Sequence, residues 1–216
     1  MHASSTLVRE IEMDVHDGKG PHPHEATAHH SVWKTSILFT LVTAVIFGLA
    51  YPFAIDGLAH LFFPRQANGS LILHNGQIIG SSLIGQSFTS DRYFHPRPSA
   101  AGNGYDATSS GGSNLAQTNT KLIARIQGDI DKLQKQNPGK PVPIDLVTTS
   151  GSGLDPDITP DDAYYQVPRV ARARGIPEAT MDALVERHIE QRQLGFLGEP
   201  RVNVLELNLA LDRLGK

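Results

Sequence analysis

The stretch TSILFTLVTAVIFGLAYPFAI, Thr35 to Ile55, holds 21 residues without a charged side chain. As an α-helix it is about 31 Å long at 1.5 Å per residue, close to the ~30 Å hydrocarbon thickness of a bilayer. Trp33 and Lys34 precede it, as interfacial anchors do; Tyr51 lies toward its other end, and Asp56 stops the run. These residues predict a membrane helix over 35–55. Two other readings compete. A buried helix of a globular protein usually shows a polar face, and this segment has little beyond Thr and Ser. A cleaved signal sequence finds a small-x-small site at Gly48-Leu49-Ala50, but its leader should be short and its apolar core about 7–15 residues. Here the leader runs to residue 34.

The residues flanking the helix give a small orientation signal. Lys19 and Lys34 precede it, and Arg65 is the nearest basic residue after it. The bias of one residue places the N-terminus in the cytoplasm. The predicted organisation is then a polar cytoplasmic tail over 1–34, a transmembrane helix over 35–55 and one extracytoplasmic domain over 56–216. The tail carries six of the ten histidines: His2, His16, His22, His24, His29 and His30. It has no apolar periodicity and reads as disordered, although adventitious metal binding is conceivable for so many imidazoles.

Composition excludes several classes of function. Lys plus Arg is 19 and Asp plus Glu is 22, a net charge of −3 that gives no electrostatic reason to expect a nucleic-acid partner. Cysteine is absent, which removes disulfides, thiolate nucleophiles and cysteine-based zinc sites. The residues past the anchor suffice for one domain with its own core.

That domain reads as α+β, with more helix than strand. Leu58, Leu61, Phe62 and Phe63 prolong the apolar helix until Pro64. In LILHNGQIIG, Asn75-Gly76 between two apolar runs predicts a hairpin with strands near 70–74 and 77–82. Residues 85–113 are loop-like. Ser113 is placed to cap a helix whose apolar stripe is Leu115, Leu122, Ile126, Ile130 and Leu133, ending at Pro138-Gly139. Asp145 to Thr149 reads as a short strand. Thr159-Pro160-Asp161-Asp162 starts a helix that Pro168 is placed to break. Pro177 begins another, with Met181, Leu184, Val185 and His188 on one face and Gly195 at its end. The C-terminal VNVLELNLALDRLG fits either a strand or a helix. Asn203 as cap, Glu206 three residues later and Gly215 past the end favour a helix packed by Val204, Leu207, Leu211 and Leu214.

Few residues suggest chemistry. Ser110-Gly111-Gly112-Ser113 before a helix could offer backbone N–H groups to an anion such as a nucleotide phosphate. It lacks the Gly-Lys-Ser/Thr of a P-loop, and a plain helix start explains it as well. Gly151-Ser152-Gly153 is not a nucleophile elbow. Asp155, Asp157, Asp161 and Asp162 have calcium-type oxygens but miss the EF-hand spacing, and turn and capping roles account for them. Arg169, Arg172 and Arg174 read as a solvated face or a subunit contact. His188 reads as a hydrogen-bonded core histidine. No catalytic constellation emerges, so the domain looks like a binding or accessory module. The competing reading is a membrane-anchored extracytoplasmic hydrolase using Ser152 or Asp155.

Five segments carry a family resemblance: RPSA (97–100), YDATSSGGSNL (105–115), LVTTSGSGLDPDITPDDA (146–163), RVARARG (169–175) and LGFLGEPRVNVLELNLALD (194–212). They resemble the KdpC family, the C subunits of the Kdp potassium-transporting P-type ATPase, and the match runs over about residues 32–216. The resemblance implies a complex in the bacterial inner membrane. Its other members are a channel-like potassium-conducting subunit, a P-type ATPase subunit phosphorylated on its own aspartate and a small single-span peptide. It implies an assembly role and a catalytic-chaperone role for this chain, raising the ATP affinity of the ATPase subunit. ATP and Mg then act on that partner, and the chain has no catalytic site, metal or cofactor of its own. Residues 1–31 depart from the family pattern as an N-terminal extension, so nothing is carried onto the histidines there.

Overall fold

The computed structural model describes the backbone of residues 24–214 and the side chains of residues 32–214. The reading of a disordered tail over residues 1–23, that of metal binding by the six histidines His2, His16, His22, His24, His29 and His30, and that of Gly215 as a helix stop lie outside the residues or side chains described. Two compact units divide at Phe63/Pro64.

The first unit is a long helix, α1. It is α-helical over His24–Val45, makes a π-helical turn over Ile46–Ala50 and is α-helical again over Tyr51–Phe62. It begins well upstream of the expected Thr35, so residues 24–34 of the polar leader are helical. The apolar part, Val32–Phe62, spans 31 residues and is long and apolar enough to cross a membrane. The π turn has a local cause. Pro52 lacks an N–H and cannot close the α-helical bond to Gly48, and the Tyr51 N–H is donated to Ile46 O instead. Thr40 and Thr43 donate their hydroxyls to Ser36 O and Phe39 O, each at 2.8 Å, which removes bare hydroxyls from an apolar surface.

The second unit is α+β. A single turn, α2 (Pro64–Ala67), leads into the hairpin β1 (Leu71–His74) and β2 (Gln77–Ser81). Asn75 and Gly76 both have positive φ, 51° and 79°, the geometry the Asn-Gly pair predicts. After a long irregular segment come α3 (Thr120–Gln136), a 3₁₀ turn over Ile144–Leu146, β3 (Asp157–Ile158), α4 (Pro160–Arg174), α5 (Glu178–Arg187), β4 (Ile189–Glu190), β5 (Arg201–Asn203) and α6 (Val204–Leu214). The short strands form an antiparallel sheet in the order β3-β5-β4. The core lies among α4, α5, α6 and β5, built from Val167, Val170, Met181, Val185, Val202, Leu207 and Leu211 with Phe94 from the irregular segment.

Several elements depart from expectation. Ser113 does not cap a helix. Asn114 takes φ of 50°, which a right-handed helix cannot accommodate, and α3 begins at Thr120 with the Asn119 side chain accepting from Lys121 N–H at 2.9 Å. Leu115 is therefore outside the stripe and exposed, while Ile126, Ile130 and Leu133 pack on Leu146, Val147 and Tyr165. No strand forms at 145–149. Pro143 precedes that segment, and the chain coils into the 3₁₀ turn, with Thr148 Oγ1 donating to Ile144 O at 2.8 Å. Pro168 does not break α4. Thr159 caps it, it runs unbroken to Arg174, and the burial of Val167, Val170 and Ala171 around the proline outweighs the roughly 3 kcal/mol that a mid-helix proline costs. Helix α5 stops at Arg187, well before Gly195, because the chain enters β4.

The C-terminal segment is a helix, and Asn203 Oδ1 accepts the Glu206 N–H at 3.1 Å. Its buried face is Val204, Leu205, Leu207, Asn208 and Leu211, whereas Leu214 is 46% exposed. The expected stripe was thus wrong by one row, since Leu205 belongs in it and Leu214 does not.

Candidate functional site

The site that emerges is a polar junction where the irregular segment 87–106, the segment 145–155 and helix α4 meet. Arg97 is at its centre. Its guanidinium donates to Asp155 Oδ2 at 3.1 Å and Thr148 Oγ1 at 3.2 Å, and lies 3.5 Å from Asp145 Oδ1. Ser99 Oγ donates to Gly153 O and accepts the N–H groups of Ala101 and Tyr105 at 3.2 and 2.8 Å. The Tyr105 hydroxyl returns to Arg97 O, and burial, with Asp155 nearby, pushes its titration well above the usual range. A tyrosine so held is a permanent donor.

Helix α4 supplies the other side. Gln166 donates to His95 O at 2.9 Å and to Asp162 Oδ1 at 3.0 Å, and its Oε1 accepts from His95 N–H at 2.7 Å and Arg169 at 2.6 Å. Arg169 also donates to Asp91 O and Tyr93 O at 2.9 and 3.0 Å. Burial, reinforced by the Arg169 charge, lowers the His95 pKa. Asp162 is 0% exposed. Burial raises its carboxyl to about 8, with Asp145 repulsion adding to the rise and Gln166, Arg97 and Arg169 opposing it. Its Oδ2 and the Arg97 Nε are the two buried side-chain polar atoms without a hydrogen-bond partner among the described residues. A proton on Asp162 removes most of the cost of burying it.

A cleft of about 400 Å³ borders this junction, lined by Arg97, Tyr105, Lys132, Gln136, Gln166 and Arg169 among others. Among the described residues no group of three or more His, Cys, Asp or Glu side chains converges on a metal-sized space.

The sequence-nominated residues are distributed as follows. Ser110–Ser113 does not open a helix. The Gly111 N–H is donated to Ser152 O at 2.8 Å and Ser110 Oγ to the same oxygen at 3.0 Å, so this loop is stitched to the second glycine-serine loop. Gly153 takes φ of 67°, and a Cβ there would lie 2.6 Å from Gly111 O. Ser152 Oγ accepts from Leu154 N–H, a turn role. The four acids separate: Asp155 pairs with Arg97, Asp157 with Arg201 at 3.2 Å, Asp161 is exposed and Asp162 is buried. The arginine run also separates. Arg169 is buried, Arg174 donates to Asp212 at 2.7 Å and sits 4.7 Å over the Tyr93 ring, and only Arg172 is solvated. His188 Nδ1 lies 2.8 Å from Leu184 O, so the expected hydrogen bond is present, but the residue is half-buried just past the end of α5 and is not in the core. Sequence reasoning missed Arg97, Gln166 and Asn208. Asn208 is buried on α6 and bonds both the N–H and the C=O of Phe94, at 2.8 and 2.9 Å. A poor helix former on an apolar helix face is the signal that could have found it.

Comparison with known proteins supplies a family. A family model described as KdpC, the c chain of K+-transporting ATPase, matches residues 33–213. A "Potassium-transporting ATPase KdpC subunit" of Koribacter versatilis is 60% identical over 178 residues, which is 82% of this chain and 92% of the relative. Proteins of the same description from Acidobacterium capsulatum and Bradyrhizobium diazoefficiens are 58% and 53% identical, over 84% and 83% of this chain and 97% and 96% of theirs. Four of the five segments that carried the resemblance, far apart in sequence, meet in the structure: RPSA, YDATSSGGSNL, SGSGLDP and RVARARG all contribute to the one junction. The chain belongs to the KdpC family of potassium-transporting ATPase subunits.

Proposed function

We propose that the chain is a non-catalytic accessory subunit that assembles the ATPase and tunes its ATP use from outside the cytoplasm. Helix α1 anchors it in the inner membrane with the N-terminus in the cytoplasm, in keeping with Lys19 and Lys34 before the span and Arg65 after it. Its partners are the channel-like potassium-conducting subunit, the P-type ATPase subunit and the small single-span peptide.

The observation that carries the reading is the junction itself. Residues of the segments that carried the resemblance hold loops together: Arg97 on Asp155, Ser99 on Gly153, Ser110 on Ser152. Such use suits a rigid scaffold that presents surfaces to neighbours. Nothing in this arrangement pairs Ser152 or Asp155 with a base, and the Gly111 N–H that an anion would need is already donated. With the domain outside, an effect on ATP affinity is a coupling free energy passed through subunit contacts, since the nucleotide is on the other face of the membrane.

Affinity-tagged chain, expressed with the other Kdp subunits, should copurify with all three. Membranes lacking it should show potassium-stimulated ATPase activity with a raised KM for ATP. Recovery of the tagged chain alone, with unchanged ATPase activity in its absence, would sink the proposal.

A further inference from the structure

The connection between β4 and β5 is a short ordered turn that holds apolar side chains out in water. Leu194, Phe196 and Leu197 are 82%, 69% and 47% exposed. The turn is nevertheless well bonded. Gln193 and Leu197 exchange both backbone hydrogen bonds at 2.9 Å, and the N–H groups of Gly195 and Phe196 are donated to Arg192 O and Gln193 O. Leu194 sits at φ of 53°, ahead of glycines 195 and 198, which also have positive φ. A leucine in the left-handed region costs stability where glycine would not, so a side chain is being kept there at a local penalty.

The rim decides what this knob fits. Arg192 is engaged by Glu199, and Arg201 by Glu190 at 2.7 Å and Asp157 at 3.2 Å. The segment 189–201 carries two arginines and two glutamates and is neutral. A loop that inserts into an anionic bilayer surface keeps unpaired Lys or Arg for the headgroups. A protein interface instead has an uncharged centre ringed by satisfied polar groups, and a turn already held by its own hydrogen bonds loses little entropy on docking.

We propose that Leu194, Phe196 and Leu197 form a preformed knob that inserts into an uncharged apolar recess on another protein subunit of the ATPase. This rests on the accessory-subunit reading above. The chain has no cysteine, so Phe196→Cys gives a single labelling point. The purified full-length variant is labelled with an environment-sensitive fluorophore and placed in nanodiscs, alone or with the other Kdp subunits. Assembly is expected to cut iodide quenching at least about threefold, with no quenching by brominated lipids in either state. In parallel, Leu194→Gly should keep or raise thermal stability, because glycine suits that φ, and weaken capture of the other subunits at least about tenfold, as loss of an interface anchor does. A purely structural role would give the opposite stability change. Unchanged iodide access in an assembled complex, quenching by brominated lipid, or wild-type capture by Leu194→Gly would each overturn the knob. Failure of the unsubstituted chain to capture any subunit would overturn the accessory reading, and the knob with it.

Discussion

Asp162 gives the sharpest test of the junction, through Asp162→Asn. The carboxyl is 0% exposed, accepts one hydrogen bond from Gln166 at 3.0 Å and leaves Oδ2 without a protein partner. Burial lifts it to about 8, against about 3.9 for an unfolded aspartate. The folded state therefore binds a proton that the unfolded state releases. Stability from this group is full below the unfolded value, falls as pH rises from about 4 to about 8 and is flat above that. At about 1.4 kcal/mol per unit, the whole loss is on the order of 5 kcal/mol, most of it already incurred by pH 7. Asparagine keeps the acceptor for Gln166 and has no charge to bury. The variant should match the wild type within about 1 kcal/mol near pH 4 and exceed it by several kcal/mol at pH 9. Urea titrations of the detergent-solubilised chain, followed by circular dichroism at both pH values, measure this. Equal alkaline losses in both proteins, or an asparagine variant weaker at pH 9, would refute the assignment of a buried neutral carboxyl.

Three further outcomes follow from packing and topology. Leu205→Ala, Leu207→Ala and Leu211→Ala should each cost about 2–5 kcal/mol in the same urea assay, and Leu214→Ala under about 1, because the first three are buried and the last is half-exposed. Asn208→Ala should cost about 2–6 kcal/mol, since it strands both backbone groups of Phe94 in the core; native-state hydrogen exchange should show the Phe94 amide losing protection. For sidedness, Ser109→Cys on the exposed loop should react with an impermeant maleimide in intact cells, while Ser5→Cys should react only after the membrane is breached; the reverse pattern would invert the proposed topology.

The legible parts of this fold were those written in local terms. The apolar run showed α1, Asn75-Gly76 the hairpin turn, Thr159-Pro160 the start of α4, and Asn203 with Glu206 the start of α6. Each is a signal within a few residues, set by steric or capping rules. The misses were of another kind. The helix expected at Ser113 failed because Asn114 turns left-handed, and the strand expected at 145–149 coils into a 3₁₀ turn that delivers Asp145 and Thr148 to Arg97. The site was less legible than the fold. Arg97 and Gln166 acquire their roles from partners 48 to 71 residues away, and periodicity carries no trace of such pairings. Of the acids that cluster in sequence, Asp155 and Asp162 reach the junction, whereas Asp157 pairs with Arg201 and Asp161 is exposed, because turns and a helix start intervene.

The resemblance motifs meet at this junction for a physical reason. Two loops rich in glycine and serine can approach closely only where neither has a Cβ in the way, and the positions are narrow. Gly153 must take φ of 67°, and its α-carbon faces Gly111 O and Ala101 N within a space that no side chain could share. The first loop then donates to the second, Ser110 Oγ and the Gly111 N–H both to Ser152 O, which occupies one of the amides that made 110–113 resemble an anion site. Glycine-serine loops at a helix start and glycine-serine loops stitched to each other look alike in one dimension. They differ in what the N–H groups face. Here the Gly111 N–H faces the Ser152 carbonyl, so the two loops are joined to each other.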